Sequence, residues 1–337
     1  VPELFTESGP NAPAAGGLAN RRPPLIYWLV SLALAGVLLY LSLRGIDWTE
    51  VWTVIRGADA RVVAFAAGIY SLNLYLRAMR WRILLQAEAP VDRADAFWAT
   101  ATGYLGNTVL PARAGEAVRT LMISARTGMS RAYVLTTALS ERVADAIVLI
   151  TISSTVLLTL PEQPGWLAGA ARPFTVLGLT GVAIIAFVPL FEAFWFRLLD
   201  RLPLPEKVRS GAGHLLKQGL QGIRSFHDRS RLARFIAMTG IIWFLDGALT
   251  VVGAHSIGME IALPIAFLLV AGLGLGSALP STPGYVGIYQ FVAVSILTPF
   301  GHSRNNAIAY ILLFQALSTV IIGFWGLIGL TRQRTRG

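Results

Sequence analysis

The sequence predicts an all-α, polytopic helical membrane protein, with about six full spans and two broken, re-entrant helix pairs in two inverted repeats. Three observations carry that reading. Of the 337 residues, 55% are hydrophobic and only 14% charged, where a soluble domain carries about 25% charged residues. Mean hydropathy is +0.61, and apolar runs long enough to cross a bilayer recur along the whole chain, so no soluble catalytic domain fits. A Gly- and Pro-interrupted apolar segment also occupies the same place in each half. Cysteine is absent, which removes disulfides, Cys-ligated zinc, iron–sulfur clusters and thiol catalysis; with four histidines in all, no metal or other cofactor is expected. The net charge of +10 comes almost wholly from arginine, Lys207 and Lys217 being the lysines. A basic, apolar chain has the membrane and its anionic lipids as first partner, not nucleic acid.

Residues 1–24, rich in Pro, Gly, Ala and Asn, read as a disordered cytoplasmic tail. A first span over 25–43 leads into 46–55, whose Ile46, Val51, Trp52 and Ile55 suit an interfacial helix. The second span, 62–85, carries Arg77, Arg80 and Arg82 in its last turns, where snorkelling to the interface is the ordinary expectation. Residues 96–123 are broken by Gly103, Gly106, Pro111 and Gly115 and read as two half-helices. A third span covers 133–160. After a loop at 161–173 come a fourth span, 174–191, and a basic cytoplasmic connector, 197–234. Within the connector Val208, Ala212, Leu215, Leu216, Ile223 and Phe226 form an apolar helical stripe for the membrane surface. A fifth span over 232–257 precedes 263–299, broken at Pro280–Gly284; a last span, 307–330, and a basic tail, 332–337, end the chain.

Arginine clusters at 21–22, 77–93, 197–234 and 332–336 fall on one side of this arrangement, so both termini are expected in the cytoplasm. Residues 25–160 and 161–331 then each contain three full spans, which inverts the second half relative to the first. Aligning the breaks matches Gly103 with Gly272, Leu110-Pro111 with Leu279-Pro280 and Gly115 with Gly284. Inverted-repeat transporters keep their broken helices and substrate site at this position.

Three constellations are candidates for function. Asn107, Arg113, Glu116 and Arg119 surround the first break, where freed backbone N–H groups and arginine forks favour an anion such as phosphate. Glu116, three residues from either arginine, can hold them in place; an ordinary cytoplasmic loop is the alternative. In the third span Glu141 and Asp145 share a helix face from which neighbouring Arg142 is displaced, so Arg77, Arg80, Arg113 or Arg119 must partner them, either as a structural ion-pair network or at a substrate site. At the second break Ser281, Thr282, Gly284, Tyr285, Tyr289 and Gln290 offer polar groups around an unwound backbone. Asp246, alone in the fifth span, is expected to pair with an arginine, with proton relay as the alternative.

The segments LRAMRWRILL (76–85), GNTVLPARAGEAVR (106–119), SERVADAIVL (140–149) and LPSTPGYVGIYQ (279–290), in this order, resemble the flippase-like membrane proteins related to the transmembrane domain of lysylphosphatidylglycerol synthase. The resemblance runs from about residue 25 to near the end of the chain. It implies movement of lipids or lipid-linked intermediates between leaflets, and does not imply lipid aminoacylation. Gln290 stands where the family's pattern usually has an acidic residue, which argues against proton or cation handling there.

The expected function is a flippase or scramblase in a bacterial or archaeal cytoplasmic membrane. Its partner would be a phospholipid or polyprenyl-phosphate-type lipid with an anionic head group, held by Arg113, Arg119 and Arg77 or Arg80; homo-oligomers are allowed. Nothing resembling a nucleotide, zinc-protease or nucleophile-elbow motif is present, so no enzyme is expected. The alternatives are a membrane-embedded enzyme acting on a lipid phosphate, with Glu116, Glu141 and Asp145 as acid/base groups, and a non-transporting partner of a lipid glycosyltransferase.

Overall fold

The computed structural model describes residues 25–110, 114–159, 192–202, 228–277, 279 and 282–334, with scattered positions between 160 and 227. The expected tail 1–24, nearly all of the loop and fourth span at 161–191, half of the 197–234 connector including its whole apolar stripe, Pro111, Arg113, Pro280, Ser281 and the last residues of the basic tail lie outside the described residues. Those described form an all-α fold without strands.

Helix α1, Leu25–Leu43, has no acidic residue in its first turn and no basic one in its last. At 19 residues and about 1.5 Å per residue it matches the ~30 Å hydrocarbon layer. The chain then turns by 86° into α2, Trp48–Arg56, because Asp47 accepts hydrogen bonds from the Thr49 and Glu50 amides and starts a new helix. Asp59 starts α3, Ala60–Leu85, in the same way. The first broken pair is α4, Arg93–Val109, and α5, Gly115–Thr127; α5 ends at Gly128, whose φ of +71° supplies the left-handed cap. α6 runs through Arg131–Thr159 and α7 through Glu192–Arg201.

Asp228 caps α8, Arg229–His255. The second broken pair is α9, Leu263–Gly276, and α10, Ile288–Leu297, joined through a 3-10 turn at Pro283–Tyr285. α11, Arg304–Arg334, closes the fold. Helices α3, α6, α8 and α11 are long and apolar enough to cross a membrane, and the bent α1–α2 pair makes up to five such spans among the described residues. Their outward faces carry exposed large apolar side chains such as Phe65, Leu72, Ile236, Phe244, Val320 and Phe324, the inverse of a soluble surface and suited to acyl chains.

Packing is reciprocal between the halves. α3 and α8 lie together; α6, which follows the first broken pair, packs on α9, and α11, which follows the second, packs on α4. The Pro283–Tyr285 turn itself touches α4, the helix that leads into the first break. Small residues permit the close approaches. A Cβ on Gly115 would come within 2.6 Å of the Asn107 amide, and one on Gly287, at φ +90°, within 2.7 Å of the Ala35 carbonyl of α1.

Candidate functional site

Charged side chains from three helices, α3, α5 and α6, converge beside the first break. Arg80 of α3 is 0% exposed. Its Nη1 donates to Asp145 Oδ1 at 2.6 Å, and its Nη2 to Glu141 Oε1 at 2.8 Å and Asp145 Oδ2 at 2.9 Å. Thr239 of α8 accepts from Nη1 at 3.3 Å. Arg119 of α5, 2% exposed, places Nη1 3.1 Å from Glu141 Oε2 and Nε 2.5 Å from Glu116 Oε2, the latter a charge contact without hydrogen-bond alignment. Its guanidinium lies 4.4 Å from the Trp81 ring centre. Desolvating two carboxylates on one face of α6 is tolerable because each meets arginine from another helix.

The corresponding group on α3 and α8 is smaller. Arg77 Nη2 lies 2.5 Å from Asp246 Oδ2, while Asn73, one turn earlier, accepts from Arg77 Nε at 3.1 Å and donates to Asp246 Oδ1 at 2.8 Å. Arg77 also sits 5.0 Å from the Trp243 ring centre. Arg142, displaced from the Glu141–Asp145 face as its position in the helix requires, reaches Glu116 Oε1 with Nε at 3.0 Å. Its remaining nitrogens are loosely held: Nη1 is 3.8 Å from Asp145 Oδ2 and Nη2 3.5 Å from the Tyr104 hydroxyl, both longer than a firm hydrogen bond.

At the second break an amide chain satisfies the unwound backbone. Gln315 of α11 donates to the Gly284 carbonyl at 2.9 Å and accepts from Gln290 at 2.6 Å, and Gln290 Oε1 accepts from the Gly287 amide at 2.8 Å. Thr282 donates to the Val286 carbonyl at 3.1 Å and so closes its own turn.

The end of α4 and the second break share one cavity of about 780 Å³. Arg77, Asn107, Arg142, Asp145, Asp246, Gly284 and Tyr285 line it, all nominated by the sequence. Arg80, Glu116, Arg119, Glu141 and Gln290 stand behind its wall. Snorkelling does not describe Arg80, because two carboxylates of α6 offer it better partners than the interface does. Arg119 likewise cannot meet a ligand directly in this arrangement. Arg113 and Ser281 lie outside the described residues. Sequence reasoning missed Tyr70, Asn73, Tyr104, Trp243 and Gln315 as lining groups; Asn73, four residues before Arg77, and Gln315, an amide within an apolar span, were the signals available.

Fold and site define an all-α, multi-pass membrane protein with a charged and aromatic cavity between two broken helix pairs. The family model described as lysylphosphatidylglycerol synthase TM region matches residues 28–326, and the chain belongs to that family. It is 26% identical over 333 residues to glycosyltransferase AglD of Haloferax volcanii, covering 84% of this chain and 52% of AglD, so it spans about half the length of that relative. It is 23% identical over 224 residues to the UPF0104 membrane protein MJ1078 of Methanocaldococcus jannaschii, covering 66% of this chain and 91% of that protein.

Proposed function

We propose that this protein moves an amphipathic lipid with a phosphate head group between the leaflets of a bacterial or archaeal cytoplasmic membrane, without altering it chemically. The observation that carries the reading is the meeting of the end of α4 and the second break at one cavity that combines arginine, amide and phenol groups with apolar walls. Irregular backbone at membrane depth is stable only against protein or a polar cavity, and inverted-repeat transporters place their substrate there. The reciprocal packing of the two halves supports reading residues 25–160 and 161–331 as inverted repeats. Arg142 is the phosphate ligand in this reading, since its Nη groups are the least committed of the cavity arginines and its side chain is 25% exposed. Arg77, Arg80, Glu116, Arg119, Glu141 and Asp145 hold the arginine array in register.

A second reading has one observation in its favour: the similarity to AglD, a glycosyltransferase about twice as long as the matched region, suits a membrane partner of an enzyme that builds a lipid-linked sugar. Reconstitution separates the two. Purified protein in liposomes should expose a head-group-labelled lipid phosphate of the inner leaflet to an impermeant quencher faster than protein-free liposomes do. Equal rates in the two preparations would overturn the transport reading.

A further inference from the structure

The two breaks differ in chemistry, and the difference specifies a head group. Each cavity carboxylate already has an arginine: Asp246 pairs with Arg77, and Asp145 with Arg80 and, at longer range, Arg142. Among the described residues no cavity carboxylate is left to receive an ammonium head group. The wall contributed by the second break carries no charge. There Tyr285 and Tyr289 stack with ring centres 5.0 Å apart and planes 11° apart, and Tyr70, Tyr104, Asn107 and Gln315 line the same cavity. Tyr285 is held at φ +60°, a left-handed conformation that disfavours a side chain and, in a cavity wall, points to a role for that side chain in function.

From this geometry we infer that the lipid phosphate carries an uncharged, hydroxylated six-membered ring, a sugar or a cyclitol. The inference rests on the lipid-carrier reading and narrows its substrate class. With the phosphate on Arg142, the ring lies toward the second break. Its C–H face packs against the tyrosine pair, and its hydroxyls exchange hydrogen bonds with phenols and amides that both donate and accept.

The test is native mass spectrometry of the full chain titrated with four lipids: polyprenyl phosphate hexose and phosphatidylinositol, each set against its ring-free counterpart, polyprenyl phosphate and phosphatidylglycerol. At least one ring-bearing lipid should bind about tenfold more tightly than its counterpart, and the pair in which this occurs identifies the sugar or the cyclitol as the source. Tyr289→Leu should bring that preference below about twofold while leaving the ring-free lipid unaffected, and Tyr289→Phe should retain most of it. Equal binding of ring-bearing and ring-free lipids by the unmodified protein overturns this inference while leaving the carrier reading intact; so does a preference that survives Tyr289→Leu. Binding of none of the four lipids overturns the carrier reading as well. The unmodified comparison decides the matter even where a variant fails to fold.

Discussion

Arg80 and Asp145 form a buried ion pair within the charge network, with Arg80 Nη1 2.6 Å from Asp145 Oδ1 and the two side chains 0% and 8% exposed. Since Arg80 also neutralises Glu141, replacing it by leucine leaves Glu141 to Arg119 alone and Asp145 with only the more distant Arg142. The expected cost is about 3–5 kcal/mol, the usual penalty for breaking a buried pair from one side. It is read as a lowered melting temperature of the detergent-solubilised protein. Unchanged melting would mean that water already reaches the α6 carboxylates.

Arg142 and Arg119 should separate by phenotype. Arg142→Gln removes the loosely held cavity arginine and is expected to slow lipid translocation roughly tenfold with little change in melting, about the effect of losing one charge-assisted hydrogen bond. Arg142→Lys should also be slower, since an ammonium lacks the planar fork. Arg119→Gln should instead lower melting, because Arg119 is 2% exposed and tied to Glu116 and Glu141. If Arg119→Gln melted normally while Arg142→Gln did not, the assignment of the two arginines would be reversed.

Gly115 sits where α4 and α5 cross, so an added methyl would collide with the Gly103 carbonyl and press on Asn107. Gly115→Ala should destabilise by at least about 1–3 kcal/mol, as overpacking a tight contact does. The measurement is the folded fraction after solubilisation. Wild-type yield and melting would show that the two arms are free to separate.

Gln315→Leu removes the link between Gly284 and Gln290. One carbonyl and one amide then lose their partner, at about 1–3 kcal/mol for each buried group left unpaired. Melting should fall accordingly, whereas Gln315→Glu should keep the bond from Gln290 and lose the donation to Gly284. Identical melting of both variants with the unmodified protein would mean that water replaces the Gln315 amide.

Both termini are expected in the cytoplasm, because arginine clusters flank the first and last spans. A C-terminal alkaline phosphatase fusion should therefore be inactive and a C-terminal green fluorescent protein fusion bright. The opposite pattern would change the parity of crossings and remove the inverted relationship between the halves.

The sequence by itself determined the all-α membrane class, the two broken helices and the family, because these follow from local quantities. Apolar run length fixes what can cross a bilayer, Gly and Pro mark where a helix must stop, and ordered motifs such as SERVADAIVL (140–149) survive without reference to contacts. It also placed Glu141 and Asp145 on one face and required arginines from elsewhere. Which arginines answered was settled only by tertiary packing. Arg77 and Arg80 are three residues apart on α3 with similar local sequence, yet Arg80 turns into α6 and Arg77 into α8. The same packing buries Arg119 behind the cavity and leaves Arg142 facing it. An arginine side chain is long enough to reach several acids, and its choice depends on which helix lies opposite, a distance between residues 61 to 169 positions apart in the chain that local pattern does not encode.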